Sequence, residues 1–317
     1  VIRFANVTAR AAPYSLTNVS LELGAGIFAV LGAPADGAPL LLAVAAGWIR
    51  PRSGQILVLG GAPEAVRQKV AYVPFDARLS PSLRVGEALD VAADIRGERA
   101  VSAHTRLGAL GLAPLEDRWT QSLTSSEARA VLLAEALTSS ARVILLDEPR
   151  VDVDPRAAGA LGAKLRERAA AGATIVLATA SPRDALELSS EQWILSYGRL
   201  AGAMRATDTP LLSAGAEPRL RVVSRDSRAL LSALVGAPQF SRVELDEQAI
   251  FLSGTDPAAM AEAVARAALS TGVELESMHV EAPRLEELRA AVARQRPVSI
   301  GPPGLPPGSL RPPPGAA

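Results

Sequence analysis

The 317-residue sequence contains no cysteine, so neither disulfide bonds nor thiolate metal sites can form. Histidine is nearly absent. His104 and His279 stand apart from any His, Asp or Glu set with ligand spacing, and surface or packing roles are expected for both. Lysine is equally scarce, with Lys69 and Lys164 the only two, so the basic side chains are almost all Arg. Charge of one sign is missing too: 33 Lys plus Arg balance 33 Asp plus Glu, leaving no net field to draw nucleic acid. The longest apolar run, Leu40 to Ile49, is too short to cross a bilayer. The first residues read as a strand and not as a signal peptide. What is present is ample core material: 49% of residues are apolar, in a chain long enough for one large domain and one small one.

The most informative stretch runs from Ser122 to Pro155. Val143 to Leu146 is an unbroken apolar run, as in a strand covered on both faces. Asp147 and Glu148 follow, and Pro149 stops the ladder. Carboxylates just past the carboxyl end of a buried parallel strand lie where open α/β sheets bind ligands. In a phosphoryl-transfer enzyme the first would hold Mg²⁺ and the second would take a proton from water. The alternative is a strand followed by a polar turn. Upstream, Thr124-Ser125-Ser126-Glu127 is an S/T-x-x-E capping box ahead of an apolar-periodic helix that reaches about Leu137.

Nearer the start, Ile27 to Leu31 reads as a buried strand, Gly32 to Pro39 as a turn, and Gly37 to about Trp48 as a helix, which together have the shape of a phosphate loop. A working loop needs glycines so that backbone N–H groups can wrap phosphate, a Lys to neutralise it and a Ser or Thr to hold Mg²⁺. Gly32 and Gly37 fit, but Ala38 stands at the Lys position and Pro39 at the Ser/Thr position. Pro39 also lacks a backbone N–H. Asp36 puts a negative charge where the anion would sit. It reads as the N-cap of the following helix, accepting from the N–H of Ala38 or one nearby. A charged hydrogen bond contributes roughly 1.5–3 kcal/mol. Losing two or three would therefore cost on the order of 5 kcal/mol, over a thousandfold in affinity.

The order of these pieces resembles the ATP-binding cassette (ABC) family, the nucleotide-driven subunits of membrane transporters. The pieces are Leu123-Thr124-Ser125-Ser126-Glu127, a helix, the Val143 to Pro149 strand end, and Asp154-Pro155. The resemblance covers most of residues 1 to 205. It implies an α/β, P-loop NTPase-like cassette with a mixed core sheet, an antiparallel β layer and a helical subdomain at about 85–123. In such a cassette ATP and Mg²⁺ are the cofactors. Gly32, Asp36, Gly37, Ala38 and Pro39 occupy the P-loop, and Phe75 stands where a Gln touches Mg²⁺ and the attacking water. Thr124, Ser125, Ser126 and Glu127 occupy the signature, which faces a nucleotide held by the opposite subunit. Asp147 is the metal position, Glu148 the catalytic base, Asp154 a nucleotide-loop residue, and Ala180 replaces a His that contacts the γ-phosphate. Tyr14, the nearest aromatic to the adenine position, is out of register and reads as a packing residue. Trp119 and Arg118 suit either contact with a membrane subunit or ordinary packing.

Residues 204–216 read as a linker. Residues 217–295 read β, α, β, β, α, β, α and resemble the small α+β C-terminal domain of drug- and antibiotic-export cassettes, with Pro283 to Leu288 like their terminal motif. Residues 296–317 form a Pro/Gly-rich tail expected to be disordered, solvated or partner-binding. The resemblance implies a permease partner, a homodimer or a heterodimer with another cassette, and no nucleic acid. It also implies a cytoplasmic protein held at the inner face of the membrane through the permease. Because most nucleotide-contacting positions are changed, the leading expectation is a scaffold or regulatory subunit with poor or absent ATP binding. The alternatives are an active ATPase with unorthodox contacts or an intact partner, and a soluble regulator without a membrane partner.

Overall fold

The computed structural model describes residues 1–98, 101–205, 218–246, 249–281, 285–286 and 288–289. The expected linker from 206 onward and the expected Pro/Gly-rich tail lie outside the described residues. Strands β1 (Ile2–Ala11), β2 (Tyr14–Leu23) and β4 (Ser53–Val58) form an antiparallel sheet in the order β2-β1-β4. Their buried residues, among them Ile2, Phe4, Val7, Val19, Leu21 and Leu23, turn one face of this layer inward.

The layer covers a second sheet of six strands. These are β3 (Gly26–Leu31), β5 (Val70–Val73), β6 (Val143–Asp147), β7 (Thr174–Thr179), β8 (Glu191–Ser196) and β9 (Arg199–Arg205). Their order is β5-β6-β7-β3-β8-β9. All pairs are parallel except β8 with β9. The apolar run at β6 explains the layering. Val143 and Leu145 enter the core under the antiparallel layer and helix α1 (Ala38–Ala45), while Ile144 and Leu146 enter a second core on the opposite face. Strand β7 divides in the same way: Val176 and Ala178 join the first core, Ile175 and Leu177 the second. Successive strand residues point to opposite faces, so a strand buried on both must be apolar throughout. The second core is closed by α4 (Ser125–Thr138) through Leu133 and Leu137 and by α5 (Pro155–Ala170) through Leu161 and Leu165.

Helices α2 (Val85–Arg96) and α3 (Ala103–Gly108) pack with α4 around Val85, Leu89, Leu107 and Val131. Helix α6 (Pro182–Leu188), with Ser181 as its N-cap, follows β7 and was not expected from the sequence. Helix α1 ends at Ala45, short of the expected Trp48, because Gly47 adopts a left-handed φ of 71° that stops the helix. Trp48 is then exposed and meets Tyr72 edge-on at 4.9 Å between ring centroids. Tyr14 is half-buried against the first core.

The C-terminal part comprises β10 (Arg219–Ser224), α7 (Ser227–Leu234), β11 (Arg242–Asp246), β12 (Ala249–Ser253), α8 (Pro257–Thr271) and β13 (Leu275–Glu281). The strands form one antiparallel sheet in the order β11-β12-β10-β13, with Leu220, Val222, Leu230, Ile250, Leu252, Met260 and Val264 in its core.

One backbone junction ties the antiparallel layer to the main sheet. Gly198, in the β8–β9 turn, has φ 75° and accepts from the Thr17 N–H at 2.7 Å. A Cβ there would lie 2.3 Å from the Ser15 carbonyl oxygen. Gly198→Ala is therefore expected to lower stability by roughly 1–3 kcal/mol, readable as a fall in the urea midpoint.

Candidate functional site

Strands β3, β6 and β7 are parallel, so their carboxyl ends share one edge. Leu31 is opposite Thr179, and Asp147 is opposite Ala178. The Gly32 N–H donates to the Thr179 carbonyl at 3.1 Å, fixing where the P-loop-like turn leaves the sheet.

That turn does not form an open anion cradle. Pro34–Asp36 is a single 3-10 turn, and Gly37, at φ 93°, is the N-cap of α1 without any side-chain cap bond. The expectation that Asp36 caps α1 is thus corrected. Its carboxylate points backward, not forward. The Ala33 N–H donates to its Oδ2 at 2.8 Å, and the Tyr197 N–H, from the β8–β9 turn, donates to its Oδ1 at 2.9 Å. The Arg289 guanidinium also pairs with Oδ2. The reason is geometric. A 3-10 turn ending at Asp36 brings the carboxylate under the turn's own first N–H, and Gly37 then takes the left-handed conformation that starts the helix in a new direction. A Cβ at Gly37 would come 2.7 Å from the Ser15 carbonyl oxygen, so the β1–β2 hairpin closes over the turn. Asp36 is only 4% exposed. Ala38 is buried within the first core, and Pro39 occupies the first turn of α1.

At the end of β6, Asp147 is 4% exposed. Burial raises its carboxyl to about 6, against the opposing pull of the Phe75 N–H, while Glu148 adds repulsion and Arg129 offsets it. Glu148 has a left-handed φ of 46°. Its Oε1 accepts from the Ala180 N–H at 2.7 Å and its Oε2 from the Thr179 hydroxyl at 2.9 Å. Burial raises its pKa, and these two bonds oppose the rise. Its carboxylate therefore binds the end of β7 through the Thr179 side chain and the backbone of Ala180. Phe75 is 49% exposed, and Arg129 lies 5.9 Å from its ring centroid. Arg129, buried on α4, donates to the Pro74 carbonyl at 2.8 Å and also to the Asp147 carbonyl.

The signature-like segment is a helix start. Thr124 Oγ1 accepts from the Glu127 N–H at 3.2 Å, and Glu127 Oε2 accepts from the Thr124 N–H at 2.8 Å, the reciprocal bonds of a capping box. Arg118 donates to the other Glu127 oxygen at 2.7 Å. The Thr124 N–H, together with Arg118, holds the Glu127 carboxyl below its usual range. Ser125 and Ser126 open the helix. Asp154 is the N-cap of α5, accepting from the Arg156 N–H at 2.8 Å.

The structure thus gathers Gly32, Asp36, Gly37, Asp147, Glu148 and Ala180 along one sheet edge, and gives Asp36, Glu148, Glu127 and Asp154 internal partners. Sequence reasoning missed Arg129, Tyr197 and Arg289. Arg129 had a signal: it is the lone basic residue in α4, flanked by Ala128 and Ala130 in a helix of small and apolar residues. Tyr197 contributes only its backbone, and Arg289 is 253 positions from Asp36, so neither had one.

Comparison with known proteins agrees with this architecture. The family model described as ABC transporter matches residues 16–151. The chain is 32% identical over 152 residues to the cytochrome c biogenesis ATP-binding export protein CcmA of Bradyrhizobium diazoefficiens, covering 48% of this chain and 76% of that protein. It is 28% identical over 238 residues to the Nod factor export ATP-binding protein I of Ralstonia nicotianae, covering 73% of each. It spans only 48% to 64% of four import ATP-binding proteins that it also matches. A solved structure of a dimeric ATP-binding cassette bound to ADP and Pi superposes with a TM-score of 0.60 at 18% identity, over 65% of this chain and 99% of that one. The chain belongs to the ABC transporter family, and its fold is that of the ATP-binding cassette. Among the described residues no helix is long and apolar enough to cross a membrane.

The raised Asp147 value has a stability consequence. Unfolded, this carboxyl titrates near about 4; folded, it titrates at about 6. Between these values the folded state holds the extra proton, so the contribution is most favourable below the unfolded value and is lost as pH rises through the folded one. Glu148 is shifted in the same direction. Urea unfolding in chelator-containing buffer is expected to show lower stability at about pH 7 than at about pH 5 from this source. Asp147→Asn should flatten that dependence and gain on the order of 1–3 kcal/mol at neutral pH.

Proposed function

We propose that this chain is a cytosolic cassette subunit of an export-type ABC transporter that neither binds nor hydrolyses ATP at useful rates, and that serves as a scaffold or regulatory partner of a membrane permease. The observation that carries the reading is the Asp36 carboxylate. It lies in the P-loop-like turn and takes N–H groups from Ala33 and Tyr197 and a guanidinium from Arg289, so an anion is already bound there and belongs to the protein. A nucleotide phosphate arriving at this turn meets a like charge and no lysine.

The other positions support the same reading. In the family, Asp147 would help to hold Mg²⁺ on ATP, but Mg²⁺ needs phosphate oxygens and a second protein oxygen, and Pro39 supplies no hydroxyl. The general-base position, Glu148, is committed to Ala180 and Thr179. Each composite site of a cassette dimer joins one chain's P-loop to the other's signature. Here Glu127, within the signature-like segment, carries a carboxylate held by its own capping box. Pairing with an intact cassette would therefore leave both sites deficient. The export assignment rests on the C-terminal resemblance and on relatives named as export proteins. The helical region around α2 and α3 and exposed Phe75 suit contact with the permease.

Calorimetric titration of the full chain with Mg-ATP is expected to show no saturable binding in the micromolar range. Such binding would overturn the proposal and favour the active-ATPase alternative. Glu148→Gln should leave any residual phosphate release unchanged; in a working cassette the same change stops turnover. Restoring the missing chemistry at two positions, Ala38→Lys with Pro39→Thr, should not restore hydrolysis. Asp36 remains in the anion's place, and a lysine stem at position 38 would have to leave the core that Ala38 occupies. A steady, protein-dependent ATPase rate from that double variant would show that the remaining changes are tolerated.

A further inference from the structure

Two features of the C-terminal segment converge on the P-loop-like turn. Leu285, Glu286, Leu288 and Arg289 are helical. Leu285 and Leu288, 8% and 2% exposed, join Ala29 and Leu31 of β3, Ala185 of α6, Ile194 of β8 and Met204 of β9 in one small apolar cluster. The two leucines are three residues apart and so lie on one face of the segment. Arg289, one residue further, pairs with Asp36 Oδ2, the oxygen that also accepts from the Ala33 N–H. The Arg289 side chain is 21% exposed and that of Asp36 5%, so the pair is largely withdrawn from water.

Two constraints make this contact more than incidental. A carboxylate this buried must be matched by donors, and two neutral N–H groups leave its charge uncompensated. Neither lysine supplies it: Lys69 ends the 3-10 segment before β5 and Lys164 lies on α5, and Asp36 pairs with neither. The cation is Arg289, carried by the far end of the chain and seated by two apolar anchors. The surface formed by Ala29, Leu31, Ile194 and Asp36 thus has a named occupant, the chain's own Leu285, Leu288 and Arg289.

We propose that the segment bearing Leu285, Leu288 and Arg289 is an internal ligand of the cassette that locks the Ala33–Gly37 turn shut. Asp36 stands where a nucleotide's phosphate would, and Arg289 supplies in cis the positive charge that residue 38 lacks. The order of the turn is thereby coupled to docking of the C-terminal segment. This inference rests on the reading of the turn as closed to phosphate, and adds what holds it closed.

Hydrogen exchange of the full chain, read by mass spectrometry on peptides that contain Ala33 and Tyr197, tests the lock. Arg289→Gln should speed exchange at those amides about tenfold, and Arg289→Lys, which keeps the charge, by less than about threefold. Leu285→Ala with Leu288→Ala leaves both charges in place but removes the anchors, and should speed the same amides. In an Asp36→Asn background, adding Arg289→Gln should change nothing further, because the charge it answers is gone. Unchanged exchange in both Arg289→Gln and the double-leucine variant would overturn the lock, as would an equal acceleration by Arg289→Gln with or without Asp36. Should Arg289→Gln fail to fold, the double-leucine variant and Arg289→Lys decide the matter. Titrating the parent chain with Mg-ATP separates the two ideas. Binding overturns the non-binding function, whereas unresponsive exchange without binding overturns the lock alone.

Discussion

A carboxylate removed from water must be surrounded by hydrogen-bond donors. Asp36 meets that requirement with groups from three parts of the chain: the Ala33 N–H from its own turn, the Tyr197 N–H from the β8–β9 turn, and the Arg289 side chain from the C-terminal segment. Much of the surrounding architecture follows. The β8–β9 turn must lie against the P-loop-like turn, and the Gly198 N–H donates to the Asp36 carbonyl at 3.0 Å. The β1–β2 hairpin must close over Gly37 and Gly198, where side chains would collide with Ser15. The apolar ends of β3, β8 and β9 must accept Leu285 and Leu288 so that the guanidinium arrives.

The same economy appears along the rest of the sheet edge. Acidic side chains there and at two helix starts are satisfied from within. Glu148 is held by Ala180 and Thr179, Glu127 by Thr124 and Arg118, and Asp154 by the start of α5. Arg129 clamps the carbonyls of Pro74 and Asp147, joining the ends of β5 and β6 beneath Phe75. Asp147 is the exception: a buried carboxyl whose pKa burial has raised, with the Phe75 N–H as its compensating contact.

The division between fold and chemistry has a physical basis. The cassette fold depends on strands such as β6 and β7 that are apolar on both faces, on capping of α4 and α5, and on glycines at left-handed turns. None of these requires a ligand. Hydrolysis depends on a handful of polar atoms at the sheet edge, which contribute little to the core. The architecture of the ABC family can therefore be kept whatever polar atoms the edge carries.

How much was legible in the sequence follows from the range over which each interaction acts. The run Val143 to Leu146 determined a strand buried on both faces, because side chains alternate with period two and every one of them is apolar. Thr124 and Glu127 determined the start of α4, because a capping box closes over three residues. Ala38 and Pro39 determined that the loop lacks a lysine and a hydroxyl, since identity alone decides what a side chain can donate. The direction of the Asp36 carboxylate was decided only by tertiary structure. Local sequence favoured a cap on the following helix, but the 3-10 turn and the left-handed Gly37 turn the side chain back toward Ala33, Tyr197 and Arg289. Those partners lie 3, 161 and 253 positions away, and the two distant ones are brought near only when the sheet and the C-terminal segment have assembled.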